Sequence, residues 1–239
     1  MNVGLLGGTL ESLLLALELR SLHHEVYIFE IDAEIGMPVH YPGLVKNPNV
    51  LAEYITKEQE GFLTMFENPE GWAFRMEWMM KFLSHRAAIM GVQCLTRTRV
   101  LNTSFDGSRY EVKLSSGERS FPSTVHLDML VDFSHPDHFN PGNLRHQHQQ
   151  EHVMAYSIPE LQQWYGGLVV ESDITNESEA TLQLRRSDGV VELWWPAPPT
   201  WRAEHGFLET YEAMISANVN EISFDAAVQR VRSFADGLV

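Results

Sequence analysis

The sequence predicts an α/β fold in three layers, a parallel sheet with an additional antiparallel β-sheet. Three observations carry that expectation. The opening thirty residues run apolar strand, glycine turn, helix, second strand and terminal acid. The chain has 239 residues, 44% of them hydrophobic, which is length and apolar content enough for a substantial core. The second half carries four short alternating runs of the kind that pair into antiparallel strands.

The opening unit is the most specific of the three. Asn2-Val3-Gly4-Leu5-Leu6 ends at Gly7-Gly8 and suits a buried parallel strand feeding a tight turn. Leu13 to Leu19 consists of strong helix formers, and His23-His24 closes that helix. Glu25 to Glu30 is a second strand with its tip acid 23 residues after Gly7. A βαβ unit of this spacing puts a pyrophosphate on a helix N-terminus and a carboxylate on a ribose, as in a Rossmann-like FAD/NAD(P)-binding fold. The glycine pattern departs from G-x-G-x-x-G, reading Gly7, Gly8, Thr9, Leu10, Glu11, Ser12. Thr9 stands where bare backbone meets the pyrophosphate, Ser12 where the helix packs closely on the strand, and Glu11 brings a negative charge near the phosphates. Two states stay open: a dinucleotide held by small hydrogen-bonding residues, or a weakened site.

The remaining elements follow in order. Residues 31–45 form a Gly- and Pro-punctuated loop, and a long loop directly after a second strand is commonly functional. Asn49 to Phe66 is expected to be helical, Trp72 to Arg75 extended, and Met76 to Met90 a helix burying Trp78, Met79, Phe82 and Leu83 on one face. Gly91 caps it, and residues 92–95 and 97–101 are strand material. Phe105 to Leu114 and Glu118 to Val125 read as a hairpin around Ser115-Ser116-Gly117, and Leu127 to Phe133 as a further strand. After a polar link come Val153 to Ser157, Gly167 to Glu171, Ala180 to Arg185 and Val190 to Trp195, expected as an antiparallel sheet. Two helices, Ala203 to Ala217 and Phe224 to Phe234, close the chain. The implied organisation is a dinucleotide domain over 1–145, an antiparallel substrate-type sheet over 146–200 and terminal helices over 201–239.

Composition excludes several classes. No apolar run approaches the ~20 residues of a membrane span, and the N-terminus lacks the basic region and cleavage site of a signal peptide. A single cysteine, Cys94, leaves no internal disulfide and fits a cytoplasmic location. The formal charge of -15 argues against nucleic acid as a partner. There is no G-x-S-x-G, P-loop or H-E-x-x-H. His135, His138, His146, His148 and His152 invite a zinc reading, but without cysteine and with only Asp137 and Glu151 nearby they read as a solvated link, and no metal is expected. Trp72, Trp78, Trp164, Trp194, Trp195 and Trp201 either line an apolar pocket or, as expected here, fill core and surface positions.

Four segments together resemble the flavin-binding half of the geranylgeranyl reductase family, within the aromatic-hydroxylase-like FAD-dependent oxidoreductases. Gly7-Gly8 through Glu30 is similar to the first flavin motif. Ile35 to Val45 is similar to the loop that runs glycine-x-proline-x-histidine-cysteine-x-glycine-leucine-valine. Phe74-Arg75-Met76 with Phe82-Leu83 and Ala87 to Gly91 is similar to an arginine-led helix, and Leu130 to His135 to a valine-aspartate turn. More loosely, Glu192 to Pro196 resembles a strand of the substrate-binding sheet. The resemblance implies FAD as cofactor, bound by Gly7, Gly8, Thr9, Leu10, Glu30 and Arg75, with the Val100 backbone at the adenine. It places His40 and Tyr41 on the loop near the flavin ring, as the candidate catalytic pair.

The departures also matter. Tyr41 stands at the family's cysteine, His135 at a glycine, and no glycine-aspartate motif with a following helix occurs after Pro196. The expected function is an FAD-dependent oxidoreductase acting on an apolar substrate, isoprenoids among the candidates. The alternative is a non-catalytic descendant that serves nucleotide sensing or protein association. A missing cover over Leu44, Val45, Phe74 and Trp78 would be supplied by a homo-oligomer or protein partner, or by Phe207, Leu208, Tyr211 and Met214 of the tail.

Overall fold

The computed structural model describes residues 1–37, 39, 41–117, 121–133, 153–158, 160–175 and 178–238. In chain order its elements begin β1 (Asn2–Leu6), α1 (Leu10–Ser21), β2 (Glu25–Phe29) and β3 (Leu44–Val45). Then come α2 (Lys57–Glu60), β4 (Phe66–Asn68), β5 (Gly71–Ala73), α3 (Met76–Ile89), β6 (Gln93–Leu95), β7 (Thr98–Phe105) and β8 (Tyr110–Ser116). The rest are β9 (Thr124–Leu127), β10 (Met129–Asp132), β11 (Met154–Ala155), β12 (Leu161–Val170), β13 (Leu182–Arg185), β14 (Val190–Trp195), β15 (Glu209–Ser216) and α4 (Phe224–Asp236). No described helix is long and apolar enough to cross a membrane.

The chain divides into two compact units. The first comprises Met1–Met37, Leu83–Ser157 and Arg230–Val239. Its parallel sheet has the order β11-β10-β1-β2-β6. The antiparallel sheet β7-β8-β9 packs on it through Leu6, Phe29, Leu95, Val100, Val112 and Leu127. Helix α1 is apolar nearly all round because it is buried nearly all round, Leu10, Leu13, Leu14, Leu15 and Leu19 each at 3% exposure or less. Its last turn is held by Arg20, which donates to the carbonyls of Met90 (2.8 Å) and His24 (2.6 Å). The three layers expected of a Rossmann-like α/β fold are present.

The second unit comprises Pro38–Phe82 and Ile158–Gln229. It contains the antiparallel sheet β13-β14-β12-β15, the additional sheet expected, and the small sheet β3-β5-β4. The face of β14 carrying Val191, Leu193 and Trp195 packs on Val169 and Ala203, with Ile174, Trp201 and Phe207 at its margin.

Several expectations are corrected. Residues 49–66 are not one helix: Asn47 caps a 3-10 turn over Pro48–Glu53, Thr56 and Gln59 form a capping box that starts α2, and Thr64 takes a left-handed φ of 49°. Each cap restarts the chain, so local hydrogen bonding interrupts the apolar period. Ala203 to Ala217 is not a helix. Its second half is β15, paired along β12 from Leu161↔Ser216 to Leu168↔Glu209. Met154–Ala155 joins the parallel sheet beside β10 instead of the antiparallel one. The turn joining β7 to β8 lies at 106–109, where the Asp106 carboxylate accepts from the N–H groups of Ser108 and Arg109. The helix over Met76–Ile89 and the helix from Phe224 form as expected, with Met79 and Leu83 fully buried but Trp78 and Phe82 only half-buried beside Phe62. His40 and the five histidines of the 134–152 link lie outside the described residues.

Candidate functional site

In the first unit, β1 ends in a turn made by Gly7 (φ 91°), whose N–H donates to the Phe29 carbonyl at 2.9 Å. Only glycine takes that conformation without strain. The Gly8 N–H donates to Glu30 Oε2 at 2.5 Å, and the Asp32 N–H donates to Glu30 Oε1 at 2.9 Å. A Cβ on Gly8 would stand 2.8 Å from both Glu30 Oε2 and Ile35 Cγ2, so the acid reaches the turn because the side chain there is absent. Burial pushes the Glu30 carboxyl above its ordinary range, and the backbone donors pull the other way.

Thr9 is the N-cap of α1. Its Oγ1 accepts from the Ser12 N–H at 3.2 Å, and Ser12 Oγ donates back to the Thr9 carbonyl at 3.0 Å. Thr9 and Ser12, read in sequence as glycine substitutes, are thus a cap. Leu10 begins the helix and is buried. Glu11, in the first turn, is 4% exposed and pairs with Arg230 at 3.2 Å. The sequence reading flagged Glu11 as a repulsive charge but missed its neutralising partner, which lies 219 residues away. Tyr156, beside this pair and edge-on to Phe234, is pushed up to about 12 by burial and by the Glu11 charge.

The structure thus brings Gly7, Gly8, Thr9, Leu10 and Glu30 together. Val100 belongs to the same unit, fully buried in the core on β7, and the start of that strand is tied to the tip of β2 by the Thr98 N–H on the Glu30 carbonyl at 2.8 Å. Arg75 and Tyr41 belong to the second unit. Arg75 places its Nη2 3.7 Å from Glu77 Oε1, and its Nε is buried with no partner among the described residues. Tyr41 is buried and donates to the Glu221 carbonyl at 3.5 Å.

The second unit holds an acid that the sequence reading passed over. Glu192 on β14 is 5% exposed. Its Oε1 accepts from Trp194 Nε1 at 2.6 Å and from the Gly43 N–H at 3.3 Å. Burial pushes its carboxyl up to about 7 against the pull of those donors and of Arg186. Four of the six tryptophans serve the sheet and its margin: Trp164, Trp194, Trp195 and Trp201 each donate Nε1 to a protein oxygen. No cluster of three or more metal-ligating side chains occurs among the described residues.

No protein-family model matches the sequence, and no curated protein matches it significantly. Solved structures do match. AlpK aligns with 98% of this chain at a TM-score of 0.61 and 11% identity, and the chain spans 61% of AlpK. CabE, an aromatic hydroxylase from angucycline biosynthesis, aligns with 99% at a TM-score of 0.55 and 13% identity, with 62% of CabE covered. A flavoprotein/dehydrogenase from Cytophaga hutchinsonii aligns with 99% at a TM-score of 0.53 and 12% identity, with 79% covered. At such identities the likeness is one of fold. The chain has the α/β fold of these proteins, one of which is described as a flavoprotein, and spans about three fifths of AlpK and CabE.

Proposed function

We propose that the protein is an FAD-binding oxidoreductase acting on an apolar small molecule, of the type handled by geranylgeranyl reductases. The observation that carries this reading is the Glu30 carboxylate held over the glycine turn by the Gly8 N–H, at the tip of the second strand of a parallel sheet. The donor set suits the adenosine half of the cofactor: Glu30 for the ribose hydroxyls, the β7 backbone at Val100 for the base, and the turn at Gly7, Gly8, Thr9 and Leu10 for the pyrophosphate. The Glu11 charge, which would repel that pyrophosphate, is offset by Arg230. Arg75 would approach the ribityl-phosphate region, and His40 and Tyr41 are the candidates for holding or moving a proton at the substrate. Bound FAD would supply two-electron transfer at its ring, and the chain supplies position and charge. Cys94, its thiol pushed up to about 11 by burial, stays unreactive and fits a reducing cytoplasm.

A second reading is supported by the same turn. Both Glu30 oxygens are already taken by backbone N–H groups. In a non-catalytic descendant those bonds would simply be kept for stability. Titration of the protein with FAD decides between them. The expected result is a flavin spectrum that survives desalting, weakened in Glu30→Ala by about 1–3 kcal/mol for the lost charged hydrogen bonds. A colourless sample with no heat of binding overturns the oxidoreductase reading and leaves the scaffold reading standing.

A further inference from the structure

The second unit holds a cavity of about 460 Å3, all of whose lining belongs to that unit. Its volume falls within the roughly 300–1,000 Å3 of small-molecule sites. The walls come from three places in the chain: Lys46 just after β3, the β4–β5 hairpin from Glu67 to Trp72, and Val219 and Asn220 in the 3-10 turn after β15.

Each wall is fixed from outside the cavity. Asn68 ties the hairpin to the edge of β13: its Nδ2 donates to the Arg185 carbonyl and its Oδ1 accepts from the Arg185 N–H, both at 3.0 Å. Gly71 turns the hairpin at a φ of 139°, and a Cβ there would stand 2.7 Å from the Val45 carbonyl. The Asn218 side chain caps the 3-10 turn by accepting from the Asn220 N–H at 3.0 Å. The Lys46 N–H donates to Asp225 Oδ1 at 2.9 Å. The cavity is therefore preformed, and a ligand entering it has little chain to order.

Three lining groups have no protein partner among the described residues. Trp164, Trp194, Trp195 and Trp201 each donate Nε1 to a protein oxygen, whereas the half-buried Trp72 donates to none. Glu67 stands directly opposite Trp72 in the β4–β5 ladder, which sets the acid and the indole side by side on one face. Neither Glu67 nor Glu70, at the hairpin turn, makes a hydrogen bond or an ion pair. Lys46 lines the same cavity yet pairs with neither acid, because its Nζ donates to Asn220 Oδ1 at 2.7 Å.

These groups select the sign of the ligand. An anion would meet two carboxylates and an ammonium already engaged. An uncharged apolar molecule would strip water from both carboxylates and return nothing for it. A cation finds an indole ring and two free acids, the combination that recognises quaternary ammonium and protonated amine groups. We propose that this cavity is a binding site for a small organic cation of that class, with Trp72 against the cation and Glu67 and Glu70 as its counter-charge. The site shares no residue with the glycine turn and does not rest on the flavin reading.

The test is titration of the full chain, at constant ionic strength, with choline and with its uncharged isostere, in which a tert-butyl group replaces the trimethylammonium. Calorimetry gives the affinities, and the Trp72 indole N–H resonance, assigned with Trp72→Phe, reports the place. Choline should move that resonance and bind at least about ten-fold more tightly than the isostere. The double variant Glu67→Gln with Glu70→Gln should weaken choline by about five- to thirty-fold. Both acids are exposed, so that variant is expected to fold, and the two-ligand comparison needs no variant. Glu58→Gln with Glu179→Gln removes the same charge elsewhere and should change affinity by less than about two-fold. A choline Kd weaker than about 10 mM shows the two acids to be merely solvated and overturns the proposal. So does equal binding of the two molecules. A loss in the distant double variant as large as in the Glu67 and Glu70 pair also overturns it, since choline would then follow the net charge of -15. Glucose moving the Trp72 resonance where choline does not would make the cavity a polyol site and equally overturns it.

Discussion

Beside the glycine turn, Arg230 pairs with Glu11 at 3.2 Å. Glu11 sits in the first turn of α1, where the helix dipole favours an acid, but it is almost fully buried and needs a counter-charge. Removing one partner of such a pair leaves an unpaired buried charge, which costs far more than the pair contributes. Arg230→Ala is therefore expected to lower unfolding stability by about 3–5 kcal/mol. The double variant Glu11→Gln with Arg230→Met should recover most of that loss. Chemical denaturation of both chains checks it, and a single variant within about 0.5 kcal/mol of wild type would show the pair to be a surface-like contact. The local sequence shows Glu11 as a charge near an expected phosphate and nothing more. Its partner is invisible there because no periodicity links positions so far apart.

Among elements, the segment from Ala203 to Ser216 shows how far a sequence carries and where it stops. Ala203, Glu204, Leu208, Glu209, Glu212, Ala213 and Met214 favour a helix by propensity. The chain instead runs through a tight turn at Gly206 (φ 82°) and pairs with β12 over eight residues. A neighbouring strand with an open edge outweighed local preference, as β-pairing commonly does. By contrast β1, α1 and β2 were legible because their signals, a buried apolar run, a glycine with positive φ and a tip acid, are all local. Glu192 was not legible as a buried acid. In sequence it is one charge in an apolar strand, and its meaning comes from Gly43, 149 positions earlier.

The same segment carries a second testable element, a pin between the 201–208 loop and the turn after β12. Asp173 is buried and accepts from the His205 backbone N–H at 2.9 Å and pairs with His205 Nδ1 at 2.7 Å. The hydrogen bond to Asp173 raises the His205 pKa above 6.5, and the His205 donors hold Asp173 below 3.8. A raised histidine contributes its stability in full below pH 6.5 and loses it as pH rises through the folded value. A depressed carboxylate contributes above pH 3.8 and loses it as pH falls through its own. The loop should thus be held most firmly between those limits, with exchange at Glu204 to Leu208 quickening on the alkaline side. In Asp173→Asn that alkaline step should vanish. A His205 titration at its ordinary midpoint in the intact protein would refute the pin.

At the scale of the whole molecule, the two units are woven from interrupted segments, and the first is completed only by the last ten residues. This bears on the expectation that the face around Leu44, Val45 and Phe74 lies open for want of a cover. All three are fully buried, with Phe224 set edge-on to Phe74 at 6.2 Å, while Trp78, the fourth residue of that face, stays half-buried beside Phe62. Leu208 is 57% exposed and covers nothing. The remainder of α4 serves the first unit. Arg230 pairs with Glu11, Arg232 with Glu18 at 3.0 Å, Phe234 meets Tyr156, and Val231 and Ala235 are buried. A chain ending at Gln229 keeps every strand of the parallel sheet and the whole glycine turn, yet strands Glu11 without its counter-charge. Leaving Glu11 buried without a partner alone costs about 3–5 kcal/mol, against a total of roughly 5–15 kcal/mol for a domain. Such a chain is expected to lose exchange protection across α1 while β12 and β14 of the second unit retain theirs. Wild-type protection of α1 in the truncated chain would mean that the turn and its helix stand without residues 230–239, and that the last turns of α4 are dispensable to the fold.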